Sequence, residues 1–285
     1  GPVATGTGPV TWSHDGTLEG VWDLNGNVWE WCTGLRLVHG ELQVIPYNDA
    51  ADPTCNLAAT SPAWKAIKAA ATSWDDLFVT PDGNGTTQGT VKLDFISGKW
   101  TYSTTIAHAT TASGCSFKDV ACDASIGAQA KLLLQALAML PDPELTGDGI
   151  AADYNMDHFW INNAEAERCL VRGGRWNHGA RAGVFYSNLY YPRSSSYVSV
   201  GGRSAFQDYL HTAPGNTDRR AIARREEKPE PRSARNMGPR SARRNFSGEM
   251  VCAALLPQGR AGGIGEYSQG GRRRHADRKA AGKQL

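Results

Sequence analysis

The sequence lacks several features that would point to a compartment or a familiar site. No apolar run approaches the roughly 20 residues of a membrane-spanning helix and nothing resembles a signal peptide, so we expect no membrane insertion. The six cysteines include no CxxC pair, which argues against a structural zinc site. Their irregular spacing favours buried thiols over a disulfide framework, although a bridge between Cys115 and Cys122 stays open.

Tryptophan is absent after Trp176, and the two parts of the chain carry opposite charge. Residues 1–206 contain 13 Lys and Arg against 20 Asp and Glu, a net charge of −7, whereas residues 207–285 contain 17 against 8, a net charge of +9. The second part is rich in Arg, Gly, Pro and Ala and repeats PRSAR at 231–235 and 239–243. We therefore expect one domain over 1–206 and a disordered basic tail over 207–285. The tail contains no recognisable reader motif, so we expect no specific nucleic-acid partner.

Local patterns in the first part predict a mixture of strands and helices, an α+β domain. A turn at Asn25-Gly26 precedes a buried strand that begins near Val28. Hairpins are predicted over Leu35–Ile45, turning at His39-Gly40, and over Thr90–Ile106, turning at Ser97-Gly98. Helices are predicted over Pro62–Ser73, with proline at the start, and over Ile126–Leu140, stopped by Pro141.

Residues 171–206, VRGGRWNHGARAGVFYSNLYYPRSSSYVSVGGRSAF, combine spaced glycines with many Tyr, Ser, Asn, His and Arg side chains. The glycines and a few apolar anchors are typical of a fixed backbone. Tyr and Ser on a rigid frame are typical of a binding surface, because tyrosine offers a large amphipathic ring at little cost in side-chain entropy. The segment therefore favours a protein that binds a partner over one that transforms a substrate.

Three blocks of the chain carry a resemblance to a known family. The blocks are GVWDLNGNVWEW at 20–31, LVRGGRW at 170–176 and GGR at 201–203, and they resemble the formylglycine-generating-enzyme branch of the C-type lectin fold. The resemblance implies a C-type lectin-type domain over 1–206, with insertions within 33–168 for which it gives no guidance.

An enzymatic function is not expected, although two kinds of oxidase belong to the same family. Formylglycine-generating enzymes use two cysteines placed shortly after the RGG motif, and RWNHGARAGVFYSN at that place contains none. Iron-dependent sulfoxide synthases need a histidine triad, and the seven histidines of this chain show no HxxxH-type spacing. An oxidase acting on peptides or thiols remains the alternative.

The segment 171–206 also resembles the variable region of ligand-binding proteins diversified by a retroelement, in which a reverse transcriptase randomises adenines, often in Asn codons. Changing both adenines of AAC never yields Lys, Glu, Gln, Met or Trp, and residues 177–200 contain none of those five types. The resemblance implies that varied, ligand-binding positions lie between fixed scaffold positions. The varied set is Arg175, Asn177, His178, Arg181, Tyr186, Asn188, Tyr190, Tyr191, Ser195, Tyr197, Val198 and Ser199. The scaffold set is Trp176, Gly179, Ala182, Gly183, Val184, Phe185, Leu189, Ser194, Gly201 and Arg203.

A calcium site is a further implication of the family resemblance. Asp23, Gly26, Val28 and Glu30 stand where the enzymes of this fold have such a site, and two carboxylates with two backbone carbonyls suit Ca2+. The alternative is that Glu30 bonds to the backbone and Asp23 caps the turn. The sugar-chelating triplets of true lectins are absent from residues 1–206, so calcium-mediated sugar binding is not supported.

The partner implied by these features is a macromolecular receptor, a protein on the surface of a cell or particle. The expected location is a virion, at the tip of a phage tail fibre, or the surface of a bacterium; oligomers are compatible with either. A structural protein of a phage tail or capsid is the second alternative.

Overall fold

Strand β1 (Trp29–Val38) lies in the middle of the sheet and carries the first of the three motif blocks. It pairs antiparallel with β10 (Glu167–Arg172) on one side. On the other side it pairs antiparallel with β2 (Glu41–Val44) through Leu35–Val38 and parallel with β12 (Val200–Gly201) through Trp29 and Glu30. Seven of its ten residues are buried, because its neighbours and the loops beyond them cover it.

A computed structural model of the chain describes residues 1–142, 154 and 156–203. All of them belong to one compact unit. The predicted tail, 207–285, and the end of the predicted variable segment, 204–206, lie outside the described residues, as do 143–153 and 155.

The described residues form twelve strands and few helices. The remaining strands are β3 (Lys65–Ile67), β4 (Phe78–Val79), β5 (Lys92–Ile96), β6 (Lys99–Ser103), β7 (Ser113–Ser116), β8 (Ala121–Cys122), β9 (His158–Ile161) and β11 (Ser187–Leu189). The helix α1 spans Ala128–Ala136, and short 3-10 turns span Val10–Trp12, Pro46–Ala51, Trp74–Asp76, Phe117–Asp119 and Gly179–Arg181. The main sheet order is β7-β9-β11-β10-β1-β2-β5-β6-β8; β3 pairs with β2, and β4 pairs with β3. Three pairs are parallel and the others antiparallel, so the expected α+β class is confirmed as a mixed sheet with few helices.

Both predicted hairpins are present. His39 and Gly40 have φ of 44° and 80° between β1 and β2, and Ser97 and Gly98 have φ of 50° and 81° between β5 and β6. Two consecutive residues with positive φ form the tight turn whose twist matches that of the adjoining strands. The turn residues alone were therefore sufficient to place these two connections.

The predicted helix over Pro62–Ser73 is wrong. Lys65–Ile67 form β3, in which Ala66 and Ile67 are fully buried and pair with β2 and β4. Alanine and lysine are good helix formers, but such propensities are small per residue, and the burial of Ala66 and Ile67 between neighbouring strands outweighs them. The second predicted helix is present but shorter than expected. It ends at Ala136, and Ala138, with φ of 50°, turns Met139 and Leu140 back into the core.

The main core lies between α1 and the sheet. Trp100, Tyr102, Phe117 and Phe159 are fully buried there. The Tyr102 hydroxyl donates to the Met139 carbonyl at 2.9 Å, which connects β6 to the turn after α1. No disulfide joins the five cysteines in the part of the chain that the structure describes. Among the same residues, no helix combines the length and the apolar character needed to cross a bilayer.

Candidate functional site

The three motif blocks meet at one end of the sheet. Glu30 of the first block is paired with Arg172 of β10 on one side and with Gly201 of β12 on the other. The Gly26 N–H also donates to the Gly173 carbonyl at 2.8 Å, which joins the turn before β1 to the RGG motif. Segments separated by more than a hundred residues in the sequence therefore form one local structure.

Two glycines take the chain out of the sheet at this point. Gly173 and Gly174 have φ of 83° and 75°, a region that residues with a side chain rarely adopt. A Cβ on Gly174 would lie 2.7 Å from the Cβ of Ala182, and one on Gly173 would lie 3.0 Å from the Leu24 carbonyl oxygen. The segment from Arg175 onward is thus held against the domain through its backbone, which leaves its side chains free to differ.

A buried layer supports the segment. Three residues predicted to bind ligand belong to this layer, and their burial corrects that prediction: Tyr186 and Asn188 are each 2% exposed and Ser199 is 4% exposed. Asn188 Nδ2 donates to the Tyr186 hydroxyl at 3.3 Å, and its Oδ1 accepts from the Tyr190 N–H at 2.9 Å. These side chains position the chain beneath the surface and do not form the surface itself.

Aromatic rings connect this layer to the surface through Trp29. The Trp29 ring contacts His178 at 5.3 Å and Tyr191 at 5.2 Å between centroids, and the Arg175 guanidinium lies over it at 4.5 Å. Such cation–π and edge contacts each contribute about 0.5–1.5 kcal/mol. Trp29 precedes the segment 171–206 by more than a hundred residues and was predicted only as part of a strand. Its role at the site depends on a tertiary contact that no local signal reveals.

Three of the predicted ligand-binding residues, Tyr190, Tyr191 and Tyr197, form one aromatic cluster. Tyr191 meets Tyr190 at 5.0 Å and Tyr197 at 5.4 Å between ring centroids, at interplanar angles of 85° and 61°. Tyr197 is 53% exposed and Tyr190 is 36% exposed, whereas Tyr191 is half-buried between them and Trp29. The three rings form an exposed aromatic patch with an internal contact to the core.

The other predicted binding residues lie at the surface. Asn177, Arg181 and Val198 are exposed, and Arg175, His178 and Ser195 are half-buried. Nine of the predicted ligand-binding residues reach solvent, and together they are called the binding face below. They are Arg175, Asn177, His178, Arg181, Tyr190, Tyr191, Ser195, Tyr197 and Val198.

Four predicted scaffold residues are also exposed: Gly179, Ser194, Trp176 at 51% and Val184 at 57%. The scaffold assignment of these positions was an implication of the resemblance, and the sequence offered no check on it, because irregular loops have no periodicity that separates an inner from an outer face.

An ion-pair cluster that sequence reasoning missed fixes the loop after β11. Arg193 donates twice to Glu167 of β10, at 2.9 and 2.7 Å, and Arg36 of β1 donates to the same carboxylate at 2.8 Å. Burial alone raises the pKa of Glu167, but the hydrogen bonds and charges of Arg193 and Arg36 outweigh it and lower the pKa. The loop that carries the tyrosines is thereby connected to two central strands.

His178 lies in a positive environment. Burial is the main cause that lowers its pKa to about 4, and the charges of Arg175, His158 and Arg181 lower it further. The ring is therefore neutral near pH 7. Burial also raises the pKa of Tyr191, so its phenol keeps its proton and can donate a hydrogen bond.

The residues proposed for calcium do not fit that ion as they are arranged. Both carboxylate oxygens of Glu30 accept hydrogen bonds from Arg203, at 2.7 and 3.2 Å, and the same guanidinium donates to the carbonyls of Trp22 and Asp23. The Asp23 carboxylate accepts from the Gly6 N–H at 3.3 Å. An arginine thus supplies the positive charge beside Glu30, and calcium remains a prediction that an experiment can test.

The chain matches no model of a known protein family and no curated protein.

Proposed function

We propose that the chain is a ligand-binding protein with a C-type lectin fold of the formylglycine-generating-enzyme type, and that its binding face is diversified by a retroelement. The observation that carries the proposal is the separation of two layers within one segment. Nine of the twelve predicted varied positions reach solvent together, over a layer fixed by Tyr186, Asn188 and the Arg193–Glu167 pair. No chemistry on the ligand is part of this function.

The binding face has the physical properties of a recognition surface. Tyrosine rings bury much area with few rotatable bonds, and exposed aromatic clusters mark contact sites. Backbone glycines and buried polar contacts fix the frame, so surface side chains can be exchanged without unfolding the domain. The adjacency of the three motif blocks around Glu30 supports the proposed fold.

The absence of five residue types from 177–200 supports the proposed origin, since Asn codons altered at their adenines cannot encode them. The decisive observation is genetic. The DNA beside the gene should contain a near-copy of the stretch encoding 171–206, differing where the copy has adenine, next to a gene for a reverse transcriptase. A missing copy, or differences spread equally over all four bases, would end the proposal of retroelement diversification.

The expected ligand is a protein receptor on a cell or particle, with the chain exposed on a phage tail or a bacterial surface. The binding test uses the full chain, fluorescently labelled, on intact bacteria from the community in which the gene occurs. Replacing Tyr190, Tyr191 and Tyr197 together with alanine should abolish attachment.

Tyr47→Ala is the matched control, because Tyr47 is 64% exposed and lies outside the binding face. Equal attachment by both variants would favour a structural role over binding. Oxygen uptake by the chain with a metal and a cysteine-containing peptide would instead favour the oxidase alternative.

A further inference from the structure

The binding face has a charge opposite to that of the rest of its domain. Residues 171–203 contain five arginines and one histidine but no Asp or Glu, whereas residues 1–206 as a whole have a net charge of −7. This segment is thus locally basic within an acidic domain. Such a local reversal guides oppositely charged partners to one surface and repels like-charged ones.

Three of the five arginines are engaged within the domain. Arg193 pairs with Glu167 and Arg203 pairs with Glu30. Arg172, which is buried, donates to the carbonyls of Leu137 and Ala138. These three side chains stabilise the fold, because their positive charges interact with carboxylates or carbonyls of the same domain.

The other two arginines lie in the binding face. Among the described residues, no carboxylate lies within ion-pair distance of Arg175 or Arg181. The Arg175 guanidinium lies over the Trp29 ring, 4.5 Å from its centroid, and Arg181 is exposed at the end of the 3-10 turn. A guanidinium fixed by stacking loses little freedom when it binds a carboxylate through two parallel hydrogen bonds.

His178 lies within electrostatic range of both arginines, together with His158. Because its ring is neutral near pH 7, it adds a hydrogen-bonding group without further charge. The arginines, the histidine and the three tyrosines together present donors, cation charge and aromatic edges, with no carboxylate of their own.

We propose that the binding face takes an acidic polypeptide segment, whose carboxylates pair with Arg175 and Arg181 while a neighbouring apolar or aromatic side chain packs against the tyrosine cluster. This inference rests on the proposed binding function and specifies the chemical class of its ligand. It adds that charge, as well as aromatic contact, selects the partner.

The geometry of the tyrosines favours a polypeptide over other anionic polymers. Tyr190 and Tyr197 each meet Tyr191 at steep interplanar angles, so neither pair offers parallel ring faces for successive bases or sugars. Stacking on such faces is how single-stranded nucleic acids bind. An edge-to-face cluster instead suits one inserted side chain.

The experiment measures binding of the full chain to an array of short random peptides in three classes, with negative, neutral or positive net charge. Heparin and a single-stranded oligonucleotide are included as other anionic polymers. Four variants are compared with the wild type: Arg175→Gln, Arg181→Gln, the double variant, and the triple alanine variant of Tyr190, Tyr191 and Tyr197. All of them keep the basic residues 207–285, so any binding through that part of the chain is common to all.

Lys99→Gln is the matched control, since it removes one exposed positive charge from β6, on the far side of β2 and β5 from β1. We expect peptides that combine Asp or Glu with an aromatic residue to bind most tightly. The double arginine variant should bind them roughly tenfold or more weakly, a loss typical of removing one partner of a close charge pair. The control should stay within about twofold of the wild type. Arg181→Gln, at an exposed position, guards against a folding defect at Arg175.

The possible outcomes separate this inference from the proposed function. If the tyrosine variant loses binding while the double arginine variant does not, the acidic ligand class is wrong and the binding face stands. If neither variant changes binding, both proposals fail. Preference for neutral or positive peptides, tighter binding of heparin or the oligonucleotide, or no peptide binding at all would overturn the inference.

Discussion

Replacing Glu167 with glutamine should destabilise the domain far more than removing an ordinary surface charge. The Glu167 carboxylate accepts three hydrogen bonds from Arg36 and Arg193, and the two side chains of the inner pair, Glu167 and Arg36, are only 17% and 7% exposed. Glutamine keeps the shape but removes the negative charge that neutralises both guanidinium groups. Two like charges are then left close together, one of them buried.

The expected magnitude follows from this burial. Removing one partner of a buried ion pair costs about 3–5 kcal/mol, and the partial exposure of Arg193 places this cluster near 3 kcal/mol. The free energy of unfolding falls by about 2 kcal/mol per M urea, so a loss of about 3 kcal/mol lowers the urea concentration at the unfolding midpoint by about 1.5 M. Tryptophan fluorescence reports the transition, because Trp29 and Trp100 are buried.

Asp119→Asn is the control for this prediction. Asp119 pairs with Lys118 at 3.1 Å, but both side chains are more than a third exposed, so solvent screening limits the loss to about 0.5 kcal/mol. A Glu167→Gln effect no larger than that of the control would refute the reasoning that the cluster is desolvated and anchors the loop.

The pH dependence provides a second check on the same cluster. The pKa of Glu167 is lowered in the folded state, so its stabilisation is complete above the unfolded value of about 4.3 and is lost as the pH falls through the folded value. The wild type and Glu167→Gln should therefore converge in stability at acid pH. Parallel curves down to the acid limit would contradict the assignment of the effect to this carboxylate.

Three further predictions concern the frame and the face. Gly183→Ala should lower the free energy of unfolding, measured with urea, by about 1–3 kcal/mol, because the added Cβ would overlap the buried carboxylate of Asp157, which accepts a hydrogen bond from the Phe185 N–H. An unchanged midpoint would show that the carboxylate can move aside. Excess EDTA should leave the thermal midpoint unchanged, because Arg203 already neutralises Glu30; a lower midpoint would instead support the calcium prediction. Because the pKa of His178 is lowered from 6.5 to about 4 in the folded state, the unfolded state binds a proton between these pH values that the folded state does not bind. The free energy of unfolding should therefore decrease as the pH is lowered from about 6.5 to about 4. His178→Gln should weaken this pH dependence, and an unchanged dependence would assign it to another group.

The parts of the fold that could be predicted from sequence are those with local causes. The two hairpins follow from His39-Gly40 and Ser97-Gly98, because only certain residues adopt positive φ easily. The region 62–73 could not be assigned in this way, since the burial of β3 depends on β2 and β4, which pair with it from elsewhere in the chain.

In the candidate site, too, features with local causes could be predicted and features that depend on distant residues could not. The exposed tyrosines could be predicted from composition, because a buried core has little use for so many polar side chains. The burial of Asn188 and Ser199 could not, since β11 is only three residues long and Ser199 lies in a loop, so neither belongs to a stretch whose periodicity indicates a face. Trp29 and Glu167 were missed because their partners in the loop after β11 are distant in the sequence, and only the fold brings them together.

The position of Trp29 beneath the face has a consequence for how new specificities could arise. One indole contacts Arg175, His178 and Tyr191, three positions predicted to vary. A substitution at one of them shifts the packing that the other two share, so their effects on affinity will be epistatic and will not add. Single substitutions would then often pass through poorly packed intermediates. A process that rewrites several codons in one event can move directly between well-packed combinations, and the shared tryptophan makes that mode of change advantageous.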